Sequence, residues 1–216
     1  MKVIIACLNS KYIHASLAPW CLLSGVRAYS VASVEVKVME STINSDINAF
    51  AEQIINEKPD IISFSSYIWN IEKTLELCKL IKGKINCTII LGGPEVSYRA
   101  KDVLEKYNFV DFVLSGEGEK SFPIFVDTYI NNSDFNKVSG LSFRNNENII
   151  SVPEEECTQT PPTPYSEEFF DNLKGRISYI ETSRGCPYRC AFCLSGRCSP
   201  LRFFDLDRVK NDIIKL

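Results

Sequence analysis

The sequence predicts an α/β fold with a doubly wound, mostly parallel five-stranded sheet, and three observations carry that prediction. Short apolar runs alternate with amphipathic stretches long enough for helices between residues 2 and 131. The run at 60–66 is short and almost continuously apolar, which is typical of a strand covered on both faces. Strands separated by helices of this length form βαβ units, so the strands run parallel and helices cover both faces of the sheet.

Each element has its own local signal. Residues 2–8 form an apolar run, and residues 34–40 alternate with the two-residue period of a half-buried strand. Asn70 is predicted to cap a helix that Gly83 ends. The predicted strands are 2–8, 34–40, 60–66, 87–93 and 111–116, and the predicted helices lie at about 17–30, 46–57, 71–82, 99–107 and 119–131.

The pattern changes after the fifth strand. Residues 141–152 read as a hairpin, and the acidic, proline-rich stretch 153–165 reads as a linker. A further strand is predicted at 176–183 and a helix at 205–216, with Asp205 as its N-cap. The predicted organisation is a Rossmann-like (flavodoxin-like) domain, a hairpin with a linker, and a third segment that starts a new domain, at residues 1–135, 136–175 and 176–216.

Composition narrows the classes of function. The chain has 216 residues, of which 45% are hydrophobic and 24% charged, as expected of a globular protein. No apolar run reaches the roughly 18 residues that a membrane span needs, and the apolar start is too short for a signal peptide. A net charge of −3 gives no general attraction to nucleic acid. We expect a cytoplasmic protein, and its oligomeric state stays open.

The sequence contains nine cysteines and one histidine. An odd number of cysteines without a secretion signal argues against a disulfide framework. Five of them are scattered, mostly in apolar surroundings, and are predicted to act as small apolar side chains: Cys7, Cys21, Cys78, Cys87 and Cys157. The other four fall within thirteen residues of a loop rich in Gly, Arg and Ser, where a hydrophobic core does not place thiols so close together: Cys186, Cys190, Cys193 and Cys198. The first three are predicted to be ligands, and the role of Cys198 stays open.

Polar and glycine residues follow the predicted strands at their carboxyl ends, where open parallel sheets bind ligands. Neither a G-x-G-x-x-G after the first strand nor a P-loop motif occurs, and Glu117 and Glu119 would repel phosphate. A large ligand with few phosphates fits better, although the glycines could simply make tight turns. The candidate ligand-binding residues are Asn9, Ser10, Lys11, Tyr12, Ser65, Ser66, Tyr67, Gly92, Gly93, Pro94, Glu95, Gly116, Glu117 and Gly118.

Residues 91–122, with Gly-Gly-Pro after the fourth strand and Gly-Glu-Gly-Glu after the fifth, resemble the cobalamin-binding domains that precede radical S-adenosylmethionine domains. The resemblance implies that the corrin ring lies against those candidate residues. Many such domains carry Asp-x-His-x-x-Gly, whose His ligates cobalt. His14, the single histidine, lacks that context. We therefore expect cobalamin without a protein imidazole, and a domain that has lost the cofactor stays open as the alternative.

The loop cysteines give the spacing C-x3-C-x2-C at Cys186, Cys190 and Cys193. Short, irregular spacings suit an iron–sulfur cluster, and three ligands for four irons leave one iron open. The alternative is structural zinc with Cys198 as a fourth ligand, but zinc sites usually pair two C-x2-C knuckles, so these spacings match poorly.

This spacing, with Phe192 before the third cysteine, resembles the radical S-adenosylmethionine superfamily. The resemblance implies a [4Fe–4S] cluster, S-adenosylmethionine against Phe192, a small-molecule substrate and an electron donor. The class includes the anaerobic magnesium-protoporphyrin ester oxidative cyclase and cobalamin-dependent methyltransferases, and the reaction stays open between them. Because a complete (β/α)₈ barrel needs about 250 residues, we expect a truncated chain that is inactive by itself.

Overall fold

A mixed seven-stranded sheet is the centre of the computed structural model, which describes residues 1–173, 175–197 and 200–216. The strand order is β2-β1-β3-β4-β5-β6-β7, in which β1 to β5 are parallel and β6 and β7 antiparallel. The strands are β1 (Lys2–Asn9), β2 (Glu35–Thr42), β3 (Ile61–Ser65), β4 (Thr88–Gly92), β5 (Phe112–Leu114), β6 (Leu141–Asn145) and β7 (Asn148–Ser151), and a separate pair comprises β8 (Ser183–Arg184) and β9 (Arg202–Phe203).

Helices follow the parallel strands and cover both faces of the sheet, as the sequence predicts. They are α1 (Ala18–Tyr29), α2 (Ile47–Asn56), α3 (Ile71–Lys82), α4 (Pro94–Ser97), α5 (Ala100–Lys106), α6 (Gly118–Ile130), α7 (Glu167–Leu173) and α8 (Leu206–Lys215). The sequence did not predict α4 or α7. Across the described part of the chain, no helix combines the length and apolar character that a membrane crossing needs.

The hairpin extends the parallel sheet. β6 pairs antiparallel with β5, so that Phe112 lies opposite Phe143. The ring of Phe112 also lies 5.0 Å from those of Phe125 and Phe135. Because β6 covers the edge of β5 and this aromatic cluster packs beside the pair, the hairpin is part of the sheet.

Alternate side chains of the strands enter two separate cores. Ile4, Ile62 and Ile89 face the core under α2, α3 and α5, whereas Ile5 and Ile90 face the core under α1 and α6. Cys7, Cys21, Cys78 and Cys87 are buried, as the sequence predicts. Cys157 is only half-buried in the linker, where its neighbours are polar, so its predicted role as apolar filler is wrong.

Gly25 lets α1 and α6 approach closely. A Cβ atom at this position would lie 2.1 Å from the carbonyl oxygen of Glu119, well inside van der Waals contact. A larger residue would therefore push apart the two helices that cover the carboxyl ends of β3 to β5.

Asn70 precedes α3 as predicted, but its side chain does not cap the helix. The side chain accepts a hydrogen bond from the Tyr67 amide at 2.7 Å and donates to the carbonyls of Leu8 and Ser65, both at 3.0 Å. Asn70 thus joins the ends of β1 and β3, an interaction between distant residues that helix-capping statistics do not reveal.

The predicted strand at 176–183 is wrong. Only β8 is regular, and Ile177 makes an isolated bridge with His14. A strand persists when a neighbour completes its hydrogen bonds, and among the described residues β9 pairs with only one residue of this stretch, Ser183. The helix α8 does form, and Asp205 accepts a hydrogen bond from the Arg208 amide at its start.

Replacing Asn70 with Ala should lower the free energy of unfolding by about 2 kcal/mol, because it leaves two buried carbonyls and one amide without their partner. Urea denaturation measures the loss. Asn44→Ala, which removes a long hydrogen bond from an exposed side chain, should change stability far less, and equal losses in the two variants would contradict this role of Asn70.

Candidate functional site

Two adjoining cavities open at the carboxyl edge of the parallel sheet. The inner cavity, of about 430 Å³, lies between β3 to β5 and helices α1 and α6; it is lined by Leu17, Ala18, Cys21, Leu22, Ser63, Phe64, Ser65, Tyr67, Ile90, Gly92, Gly93, Leu114, Gly116, Glu117, Gly118, Glu119, Phe122, Glu181 and Arg184. The outer cavity, of about 520 Å³, is lined by Gly93, Pro94, Ser97, Tyr98, Gly116, Glu117, Glu154, Glu155, Cys157, Glu181, Ser183, Arg184, Gly185, Leu194 and Ser195.

The structure separates the candidate ligand-binding residues into two groups. Eight of them line one or both cavities, namely Ser65, Tyr67, Gly92, Gly93, Pro94, Gly116, Glu117 and Gly118. Glu95 instead pairs with Arg99. The candidates after β1 (Asn9, Ser10, Lys11 and Tyr12) line neither cavity, and Lys11 and Tyr12 are exposed.

The backbone at Gly93 and Ser66 comes unusually close. Gly93 has φ of +100°, and a Cβ atom there would lie 2.5 Å from the carbonyl oxygen of Ser66. The hydroxyl of Ser66 is buried and has no hydrogen-bond partner in the structure. Ser66 lines neither cavity, and its close approach to Gly93 holds the loop after β3 against the loop after β4.

An aromatic pair stands beside the inner cavity. The rings of Tyr67 and Trp69 stack at 4.5 Å and 5°, and Trp69 remains half exposed. Burial raises the pKa of Tyr67 to about 12, so its hydroxyl stays protonated at neutral pH. The sequence analysis missed Trp69, although it lies two residues after the candidate Tyr67.

Five charged side chains form the ion cluster, defined as Glu117, Glu119, Glu181, Arg184 and Arg202. Arg184 donates to Glu117 at 2.7 Å, to Glu119 at 2.5 Å and to Glu181 at 2.8 Å, and Arg202 also donates to Glu117. Arg184 thus neutralises these carboxylates, so Glu117 and Glu119 do not present free negative charge to a ligand.

The ion cluster shifts the pKa of its members. Burial alone would raise the pKa of Glu117, but hydrogen bonds from Arg202 and Arg184 lower it below its ordinary 4.5. Burial opposes the charge on Arg184, yet hydrogen bonds to Glu181 and Glu119 raise its pKa. Glu117 and Arg184 are therefore both ionised at neutral pH.

Glu40, towards the carboxyl end of β2, has a buried carboxylate that four other side chains contact. Its carboxylate accepts hydrogen bonds from Asn9 at 2.7 Å, from Trp20 at 2.8 Å, from Asn172 at 2.9 Å and from Arg176 at 2.8 Å. Asn9 is thus engaged within the protein, which explains why this candidate does not line a cavity.

His14 also has a partner within the protein. Its Nδ1 lies 2.5 Å from the Tyr179 hydroxyl, and its backbone bridges Ile177. It lines neither of the two cavities.

The cysteine loop follows β8. Cys186 and Cys193 are half-buried, Cys190 is exposed, and none of the three forms a disulfide with a described residue. Within the described residues, no three His, Cys, Asp or Glu side chains lie close enough to hold a metal ion. Phe192 is 94% exposed, and Cys198 lies outside the described residues. The loop nevertheless adjoins the sheet edge, because Gly185, Leu194 and Ser195 line the outer cavity.

Comparison with known proteins agrees with this architecture. The chain is 32% identical over 171 residues to the cobalamin-dependent radical SAM methyltransferase TokK of Streptomyces tokunonensis, covering 72% of this chain and 25% of the relative. It is 32% identical over 123 residues to the anaerobic magnesium-protoporphyrin IX monomethyl ester cyclase of a Synechocystis species, covering 50% and 23%. The chain thus spans about a quarter of the length of these relatives.

A solved structure confirms the fold. The radical S-adenosylmethionine methyltransferase TsrM from Kitasatospora setae, with cobalamin and a [4Fe–4S] cluster bound, superposes with a TM-score of 0.73 at 18% identity, covering 99% of this chain and 45% of that one.

The fold is an α/β domain with two cavities beyond the carboxyl ends of its parallel strands, the place where open parallel sheets bind ligands. The family model for the B12 binding domain matches residues 2–126, more than half of the chain. This chain therefore belongs to the B12-binding domain family, as the motifs at 91–122 indicate.

The cysteines should differ sharply in reactivity at mildly alkaline pH. Burial raises the pKa of Cys7 to about 12 and of Cys87 to about 11, and holds those of Cys21 and Cys78 well above the ordinary value. Because the thiolate is the nucleophile, iodoacetamide should label Cys186, Cys190 and Cys193 in the native protein and leave these four unlabelled. Mass spectrometry of peptides reads this out, with denatured protein as the fully labelled control.

Stability should depend on Glu117 only while it is ionised. Its pKa is lowered in the folded state, so its contribution is present above pH 4.5 and is lost as the pH falls through the folded value. We expect the urea midpoints of the wild type and Glu117→Gln to differ at neutral pH and to converge below pH 4.5. A difference that is constant with pH would contradict the assignment.

Proposed function

We propose that this chain is the N-terminal part of a cobalamin-dependent radical S-adenosylmethionine enzyme. The sheet edge binds cobalamin, and Cys186, Cys190 and Cys193 bind a [4Fe–4S] cluster. The outer cavity carries the proposal, because its walls come from the sheet edge at Gly93 and Gly116 and from the cysteine loop at Gly185. Two cofactors that act on one substrate need this proximity.

The residues at the edge fit cobalamin. The inner cavity offers space and mostly apolar walls for an aromatic nucleotide tail, and glycine backbone at Gly92 and Gly93 forms part of its wall without a side chain. The stacked Tyr67 and Trp69 add a flat apolar surface next to it. Because His14 lines neither cavity, we propose that cobalamin binds without a protein imidazole.

The donor set of the loop fits an iron–sulfur cluster. Its three cysteines belong to neither hydrophobic core, and thiolates at short spacings are the ligands that such clusters use. When bound, the cluster would supply the electron that cleaves S-adenosylmethionine. Phe192, which is almost wholly exposed, is available to pack on the adenine.

We propose methyl transfer to a small-molecule substrate as the reaction, with a separate electron donor. The support is the relative TokK, a methyltransferase by name, whose match extends over 72% of this chain. Oxidative cyclisation is the second candidate, because a cyclase matches half of this chain at equal identity. A cluster sensitive to oxygen suggests an anaerobic, cytoplasmic setting.

The test is anaerobic reconstitution with iron and sulfide, followed by titration with hydroxocobalamin. The wild type should take up a cluster that absorbs visible light and should shift the cobalamin spectrum on binding. Replacing Cys186, Cys190 and Cys193 with Ala should abolish the cluster and spare cobalamin binding, whereas Cys157→Ala should keep both.

Narrowing the inner cavity should have the opposite effect. Gly92→Val adds methyl groups at the cavity wall, where a Cβ atom meets only the Leu114 carbonyl at 3.4 Å. We expect cobalamin affinity to fall at least about tenfold, or about 1.4 kcal/mol, with the cluster unchanged. Gly83→Val, at an exposed helix end, is the matched control.

Absence of cobalamin binding in the wild type would favour the alternative, a Rossmann-like binding or interaction domain that has lost its cofactor. Zinc retained through an iron challenge would favour a structural zinc site.

A further inference from the structure

We propose that Arg184 is a positioning residue that fixes the cysteine loop against the cobalamin edge through Glu117 and Glu119. This inference rests on the proposed function for its purpose, but its geometry stands on the structure alone. It assigns a structural role to both glutamates of the Gly-Glu-Gly-Glu segment, Glu117 and Glu119.

Arg184 lies next to the cysteine loop in the sequence. It is the last residue of β8 and stands two residues before Cys186, the first candidate cluster ligand. Contacts that hold the Arg184 side chain in place therefore restrain the start of the cysteine loop.

The hydrogen bonds of Arg184 connect segments that are far apart in the sequence. The Arg184 guanidinium meets Glu117 at the end of the β5 loop and Glu119 in the first turn of α6, which lie 67 and 65 residues earlier in the chain. Two different nitrogens contact these two carboxylates, so the guanidinium is fixed in orientation as well as in place. A lysine ammonium is a point charge and cannot reproduce this fork.

Few backbone hydrogen bonds hold β8 in the part of the chain that the structure describes. Within the described residues, β8 pairs only with the two residues of β9, and the Phe204 amide adds one hydrogen bond to the Thr182 carbonyl. A ladder this short is weak by itself. The Arg184 side chain, by contrast, is only 16% exposed and that of Glu119 only 9%.

The ion cluster lies between the two cavities. Glu117, Glu181 and Arg184 line both the inner and the outer cavity. The same side chains that hold the loop thus form the partition between the space assigned to cobalamin and the space next to the cysteines. Their geometry sets the distance between the two.

The experiment is amide hydrogen exchange of the cofactor-free chain, comparing the wild type with Arg184→Lys, Glu119→Gln and the double variant. Exchange in peptides that cover residues 180–186 and 200–206 should rise about tenfold in each single variant, since local opening reports local stability. The double variant should add little more, because either change breaks the same contact. Exchange in β1 and β4 should not change.

Arg27→Lys is the matched control, because Arg27 forms a single ion pair with Glu168 on the surface; it should leave both peptides unchanged. Unchanged exchange in Arg184→Lys and Glu119→Gln, or a rise that spreads equally to β1 and β4, would overturn the proposal. If Arg184→Lys fails to fold, Glu119→Gln, which keeps the size of the side chain, decides alone.

A second measurement separates this inference from the proposed function. In the reconstituted protein, pulsed electron paramagnetic resonance measures the separation of cobalt(II) and the reduced cluster. Glu119→Gln should broaden that distribution while cluster content and cobalamin content stay at wild-type levels. Failure of the proposed function would instead show as a wild type that loads neither cofactor, whereas a loaded variant with an unchanged distribution would overturn the role of Arg184.

Discussion

All five parallel strands end at one edge of the sheet, and this constraint organises the rest of the structure. The loops that follow these strands therefore lie at the same edge. The loops after β3, β4 and β5 are far apart in sequence, yet Ser65, Gly93 and Gly116 from these three loops all line the cavities. Asn70 strengthens this convergence, because it joins the ends of β1 and β3 by hydrogen bonds.

The same edge collects carboxylates, and arginines from the C-terminal third of the chain neutralise them. Glu40 accepts hydrogen bonds from Arg176, and Glu117 and Glu119 accept them from Arg184. Removing one partner of a buried ion pair is costly, whereas the intact pair contributes little net stability. We therefore interpret these contacts as determinants of where the C-terminal segment sits on the edge, rather than as the source of its stability.

Local patterns predicted the elements whose stability is local. The apolar runs gave all five parallel strands, and Asp205 marked the start of α8. Local patterns did not predict structure that depends on a distant segment. They did not show that β6 joins β5, beside the aromatic cluster around Phe112. Most of 176–183 is irregular because it lacks a regular neighbour in the described structure. Cys157 was misjudged for the same reason, since burial depends on what packs over a segment.

The sequence by itself determined the α/β class, the B12-binding motifs at 91–122 and the C-x3-C-x2-C spacing, because periodicity and ligand spacing are properties of neighbouring residues. The tertiary structure decided which candidates line a cavity, and it separated Gly93 and Glu117 from Asn9 and Tyr12. It also paired Arg184 with Glu117 and Glu119. Those contacts join residues more than sixty positions apart, and only the folded chain brings such residues within hydrogen-bonding distance.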